Sequence, residues 1–241
     1  NCVGDSHACL LVLRSCHEIF CLGEAEDPLG KKEMSCPFIA YTYGVGRMAG
    51  GMLGPGDGSY CGAQIKGTME YGFLPCDTPG LADAYSNLPQ GTANVGRLFG
   101  RSKSEIMKWT DKAKPFDLLE APKCTSAEEA WDLIVNKKIP LQICSGQVFR
   151  YKGKDENGVH IYIASGSWSH SMQIPAAFRI KSLRYFVIRN QWGLNAAKGS
   201  PEIGIAGGCM VITYETFDRW VKRSETIGIG KIQGRPSNPG F

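Results

Sequence analysis

Apolar and polar positions follow different rhythms in the two halves of this chain. Over residues 3–21, Cys9, Leu13, Cys16 and Phe20 recur at spacings of four, three and four. That stripe predicts a helix with one buried face. Cys2 stands at its head and projects on nearly the same side as Cys9, seven residues on. Residues 44–59 are rich in glycine and include a proline, which predicts a loop ending in Gly56-Asp57-Gly58-Ser59. A second helix is predicted over 60–71, closed by Gly72. Residues 77–96 are polar and turn-rich. A third helix begins near Ser104 and is stopped or turned at Pro115. The rhythm changes near residue 124. Thr125-Ser126-Ala127-Glu128 has the form of a capping box that opens a helix to about Asn136. Strands follow at 141–144, 148–151, 160–164, 172–180, 185–189 and 209–214, and the tail after Gly230 is expected to be extended. Helices first and strands second predict an α+β fold in two lobes: a helical lobe over 1–124 and a β-rich lobe over 125–241.

Composition narrows the function. The chain has 241 residues, 43% of them apolar and 21% charged, which suits a globular protein with a sizeable core. No window approaches the roughly 18 unbroken apolar residues of a membrane span, so no membrane partner is expected. The early apolar run at 8–13 is short and has no basic region before it, so it is not read as a signal peptide. Net charge is +4 and scattered; Arg97, Arg101, Lys103 and Lys108 form the loosest of clusters. A nucleic-acid binder concentrates positive charge on one face, so none is expected as a partner. The ten cysteines include no C-x-x-C and no zinc-finger spacing. Neither a metal nor a cofactor is expected, and Cys16, His17 and Cys21 read as core. Cys144 and Cys209 lie in apolar runs, where a thiol acts as a small hydrophobe. That usage leans toward a reducing compartment such as the cytoplasm.

Chemistry enters through Cys2. The reactive form of cysteine is the thiolate, and the free N–H groups and dipole of a helix N-terminus favour it. A nearby imidazole takes the proton and stabilises the ion pair. His7 and His17 share the helix with Cys2 but neither stacks directly over it. His160 and His170 are left. His170 lies in Ser167-Trp168-Ser169-His170-Ser171-Met172, at the start of a predicted strand, whereas His160 follows Asn157-Gly158 in a more exposed one. Cys9, on the face of Cys2, is the rival nucleophile.

These residues resemble a known family. Cys2-Val3-Gly4 at a helix head, Ser169-His170-Ser171-Met172 before an apolar strand, and Tyr185-Phe-Val-Ile-Arg-Asn190-Gln-Trp192-Gly193 resemble the papain-like cysteine peptidases. The family's Asn-Ser-Trp-Gly is Asn-Gln-Trp-Gly here. The resemblance implies a two-lobe fold with an active-site cleft between the lobes. It implies Cys2 as nucleophile, His170 as general base, Asn190 orienting the histidine and Trp192 shielding their bond. Asp57-Gly58-Ser59 resembles the family's Asn-Gly-Gly, which implies that Gly58 and Ser59 pair with substrate backbone, with Ser171 and Met172 flanking a side-chain pocket. The helix at 126–136 with the strand ending in Cys144 resembles the opening of the family's barrel lobe, and Gly207-Gly208-Cys209 its late strand. Cys-Val-Gly openings of this kind also resemble, more loosely, a branch found in bacterial and phage genomes. Peptide or protein substrates are implied. The family's oxyanion Gln sits a few residues before the nucleophile, a position ahead of residue 1 here, and the Cys2–His170 separation exceeds the roughly 130–150 residues of the peptidases. Two other classes share the pattern: a catalytically decayed scaffold with a structural or interaction role, such as a virion component, and an acyltransferase using the same three residues.

Overall fold

The computed structural model describes residues 2–16, 36–86, 93–190 and 192–233. The chain divides into two compact units: Asn1–Pro122 with Ile229–Phe241, and Lys123–Gly228. No described helix is long and apolar enough to cross a membrane.

The first unit is helical. It contains α1 (Cys2–Cys16), α2 (Ile39–Ala49), α3 (Cys61–Tyr71), α4 (Leu81–Ala84), α5 (Ala93–Arg101), α6 (Lys103–Met107) and α7 (Thr110–Ala113). Part of the expected 44–59 loop is therefore helix. Gly44 and Gly46 read as loop by propensity but serve packing: a Cβ on Gly67 of α3 would lie 2.5 Å from the carbonyl carbon of Val45. Two helix backbones meet there, and only glycine permits it. The polar stretch before residue 96 opens into α5, whose Val95 and Phe99, four apart, are fully buried. They join Tyr41, Leu74, Ile106 and Trp109 in the unit's core. As expected, α3 ends at Gly72, with φ 72°. The chain returns to this unit after Ile229: Gly230 N–H donates to Glu120 O and Gln233 N–H to Asp117 O, at 2.9 and 2.7 Å. The expected helix beyond Cys16, including His17 and Cys21, lies outside the described residues, as does the tail beyond residue 233.

The second unit opens on α8 (Ala127–Trp131), capped by Ser126, whose side chain accepts from Glu129 N–H. The Glu129 carboxylate in turn takes Thr125 N–H at 2.7 Å, so the capping pair is Ser126 with Glu129, one residue beyond the expected register. A π turn at Asp132–Asn136 completes the predicted helix. Five strands follow, β1 (Leu141–Lys154), β2 (His160–Ile180), β3 (Leu183–Arg189), β4 (Cys209–Thr213) and β5 (Glu225–Gly228), in the order β3-β4-β2-β1-β5. The predicted short strands fuse in pairs into β1 and β2. At 21 residues β2 outruns any one neighbour, so β1, β3 and β4 share it and the sheet curls. Its register against β3 slips between Gln173 and Ala176, where Pro175 supplies no N–H. The helix α9 (Tyr214–Val221) packs Phe217 on Phe186 of β3, with ring centroids 4.0 Å apart. Leu141, Ile143, Met172, Ile174 and Ile188 fill the rest of the core.

Candidate active site

The β-rich unit brings His170 and Asn190 together. His170 sits on β2 opposite Ser145 of β1. Asn190 follows the last residue of β3, and its N–H donates to Gly208 O at 3.2 Å, just before β4. Because β2 and β3 run antiparallel, with Gln173 opposite Arg189, these two side chains fall side by side. His170 Nε2 stands 3.1 Å from Asn190 Oδ1. An amide oxygen only accepts, so Nε2 carries the proton of this bond and Nδ1 is left as the basic nitrogen of the ring. Both residues are nearly buried, at 9% exposure.

Two tryptophans cover the imidazole. Trp192 stacks on it with centroids 4.6 Å apart and planes at 28°. Trp168, two residues before His170 and so on the same strand face, stacks at 5.6 Å and 13°. The indoles lie 4.7 Å from each other, so the three rings form one cluster. Both indoles stay half-exposed while His170 and Asn190 are nearly buried, and low local dielectric strengthens a hydrogen bond. The sequence pattern assigns Trp168 no role; its signal there is an aromatic residue two positions before the histidine. Gly208, with φ 81°, lies against Gly193, which follows Trp192: a Cβ there would lie 2.7 Å from Gly193 O.

The other predicted residues are placed as follows. Ser171 is fully buried and accepts from Gln142 Nε2 at 3.2 Å, and Met172 lies in the core. Neither side chain is open to solvent. In the helical unit, Cys2 is the first residue of α1, a half-buried thiol at the end where helix N–H groups lack intrahelical acceptors. Burial raises the Asp5 carboxyl in the same first turn. His7 is fully buried with Nε2 2.9 Å from Thr68 Oγ1, a packing role that removes it as a base. Gly58 is exposed and Ser59 partly so, in the loop between α2 and α3.

Comparison with solved structures fits this description. The chain matches xylellain, a cysteine protease from Xylella fastidiosa, with a TM-score of 0.58 and 15% identity, over 95% of this chain and 78% of that one. It also matches procathepsin B S9 from Trypanosoma congolense, with a TM-score of 0.53 and 13% identity, over 94% and 67% of the two chains. The chain has a papain-like fold. No family model and no curated protein matches it by sequence.

Local geometry sets the rival residues apart from His170 and Cys2. His160 lies at the start of β2, where Nε2 pairs with Glu202 at 3.2 Å while Lys154 pairs with the same carboxylate oxygen at 3.0 Å. Its Nε2 is engaged with a carboxylate, not with an orienting amide. Among the other thiols, burial first, then the neighbouring Cys36 and Asp77, push Cys76 up to about 11. Burial likewise pushes Cys124 up to about 12 and raises Cys209. Thiols shifted in that direction are poorer nucleophiles at neutral pH. Cys9 is half-buried further along α1, away from the helix N-terminus.

Proposed function

We propose that this chain is a cysteine peptidase in which Cys2 attacks the substrate amide, His170 moves the proton and Asn190 orients the histidine. The observation that carries this reading is the His170–Asn190 bond under its two tryptophans, with Nδ1 left as base. In this reading His170 Nδ1 takes the Cys2 proton, and the ion pair is further favoured by the N-terminus of α1. The thiolate adds to the carbonyl carbon. The Cys2 backbone N–H, at the N-terminus of α1, contributes to holding the oxyanion. The tetrahedral species collapses as the imidazolium gives its proton to the leaving amine, which departs as the new N-terminus. Water, deprotonated by His170, then attacks the thioester and releases the carboxylate product and the Cys2 thiol. Gly58 and Ser59, on an open loop, supply the edge along which substrate backbone lies. Ser171 and Met172 back the site from inside the β-rich unit. The family likeness extends to proteases by name, which supports a peptide or protein substrate.

The test is turnover of quenched fluorogenic peptides by the purified chain and by Cys2→Ala. Cleavage lost in Cys2→Ala, with the melting transition kept, supports the reading. Equal cleavage by both chains contradicts it.

A further inference from the structure

Outside this machinery one group stands apart. Arg47, in the last turn of α2, is 3% exposed, yet its guanidinium is satisfied without a carboxylate among its hydrogen-bond acceptors. Nε donates to Gly100 O at 3.0 Å. Nη1 donates to Gly58 O at 2.6 Å and to Tyr43 OH at 3.4 Å. Nη2 donates to Met52 O and, at 3.5 Å, to Gly54 O. A guanidinium carries five N–H donors in a fixed fork, and here each has an acceptor. Three of those acceptors belong to the loop between α2 and α3, and a fourth lies in the last turn of α5. Tyr43, one turn earlier, completes the clamp: its hydroxyl accepts Gly58 N–H at 3.0 Å, and the guanidinium carbon lies 5.6 Å over its ring.

Burying a charge is costly, and an apolar side chain would pack α2 at least as well. What an apolar side chain lacks is directional hold on separate carbonyls. The loop has no regular structure of its own and would otherwise leave those carbonyls to water. The clamp therefore selects one loop conformation. It also uses both backbone groups of Gly58, the N–H on Tyr43 and the C=O on Arg47.

We infer that Arg47, with Tyr43, is a positioning residue for peptide binding: it holds the loop that presents the Gly58–Ser59 edge, so that backbone pairing with substrate passes to Ser59. This rests on the peptidase reading above. It assigns to the clamp an effect on substrate binding and none on the chemical step.

The experiment uses Tyr43→Phe, which keeps the ring and removes the hydroxyl, beside Arg47→Lys, which keeps the charge but offers three donors instead of a fork. Three quantities are read: amide hydrogen exchange at Gly58, KM and kcat for one fluorogenic peptide, and the rate of Cys2 alkylation by iodoacetamide, which needs no peptide site. The expected result is faster exchange at Gly58 in both variants. KM should rise about threefold to tenfold, the usual range for one lost hydrogen bond. The kcat and alkylation rates should stay at wild-type values. Unchanged exchange at Gly58 overturns the inference, and so does faster exchange with an unchanged KM. A fall in kcat and alkylation together with KM marks a merely structural role and also overturns it. If the wild-type chain itself cleaves no peptide, the underlying peptidase reading fails, and the silence of the wild type distinguishes that from a failure seen only in the variants.

Discussion

His170 donates through Nε2 to the Oδ1 of Asn190 at 3.1 Å, and this one bond fixes which ring nitrogen is basic. In the proposed mechanism, replacing His170 by Ala removes the proton carrier and is expected to lower kcat/KM by about 10²–10⁴. Asn190→Ala leaves the carrier and removes only its orientation, for which about tenfold to a hundredfold is expected. Initial rates on one peptide substrate rank the two. An Asn190→Ala loss equal to that of His170→Ala would show that Asn190 does more than orient.

The Trp168–His170–Trp192 cluster makes a separate prediction. Trp192→Ala removes an aromatic pair from the β-rich unit, which is expected to cost about 0.5–1.5 kcal/mol of stability beyond the area lost. It also opens the His–Asn bond to water, so kcat should fall while Trp192→Phe keeps most of it. Urea melts and initial rates read the two effects. Wild-type kcat in Trp192→Ala would mean that the indole does not shield the bond.

Gly67→Ala tests the helix packing. The added methyl would meet the Val45 backbone at 2.5 Å, and backbone cannot step aside as a flexible side chain can. A loss of about 1–3 kcal/mol is expected from such overpacking. Gly146→Ala, with nothing within 4 Å, is the control and should stay within about 0.5 kcal/mol. Equal melts for the two variants would contradict the close approach of α2 and α3.

The same contact explains where sequence pattern misled. Glycine marks a loop when the requirement is torsional and a helix contact when it is steric, and a linear reading does not separate the two. Hence Gly44 and Gly46 read as loop by pattern yet lie in α2, while Gly72, a true helix stop, ends α3 as its pattern predicts. The α+β class, the α3 helix and the strands β3 and β4 were legible because their apolar periods and turn residues agree. β5 was not, since Thr226 and Ile227 are too short a run to stand out from a turn. The pairing of His170 with Asn190 was legible by order and local motif. Trp168 and the Arg47 clamp were not, because each gains its meaning from groups distant in the chain: Trp192, Gly58 and Gly100.

Thiol reactivity separates structural from activated cysteines. Burial disfavours the thiolate, so Cys76, pushed up to about 11, and Cys124, up to about 12, hold fewer thiolates at pH 8 than an ordinary thiol. For Cys76 the thiolate fraction is roughly two hundredfold to three hundredfold smaller than for a thiol near 8.5. Mass-spectrometric mapping after brief alkylation at pH 8 should find both nearly unmodified, with labelling rising as pH climbs toward 11. Rapid labelling of Cys124 at pH 8 would contradict the buried placement.

The central claim is that His170 activates Cys2, and site-resolved alkylation by iodoacetamide at pH 6 tests it most directly. Ordinary thiols near 8.5 are protonated at that pH and react slowly. A thiolate held by an imidazolium and a helix N-terminus does not depend on that equilibrium. The account predicts that Cys2 is modified well ahead of every other cysteine in the wild-type chain, and that His170→Ala abolishes the lead while the fold persists. Equal, slow modification of all accessible cysteines, or a Cys2 rate that His170→Ala leaves unchanged, would contradict it.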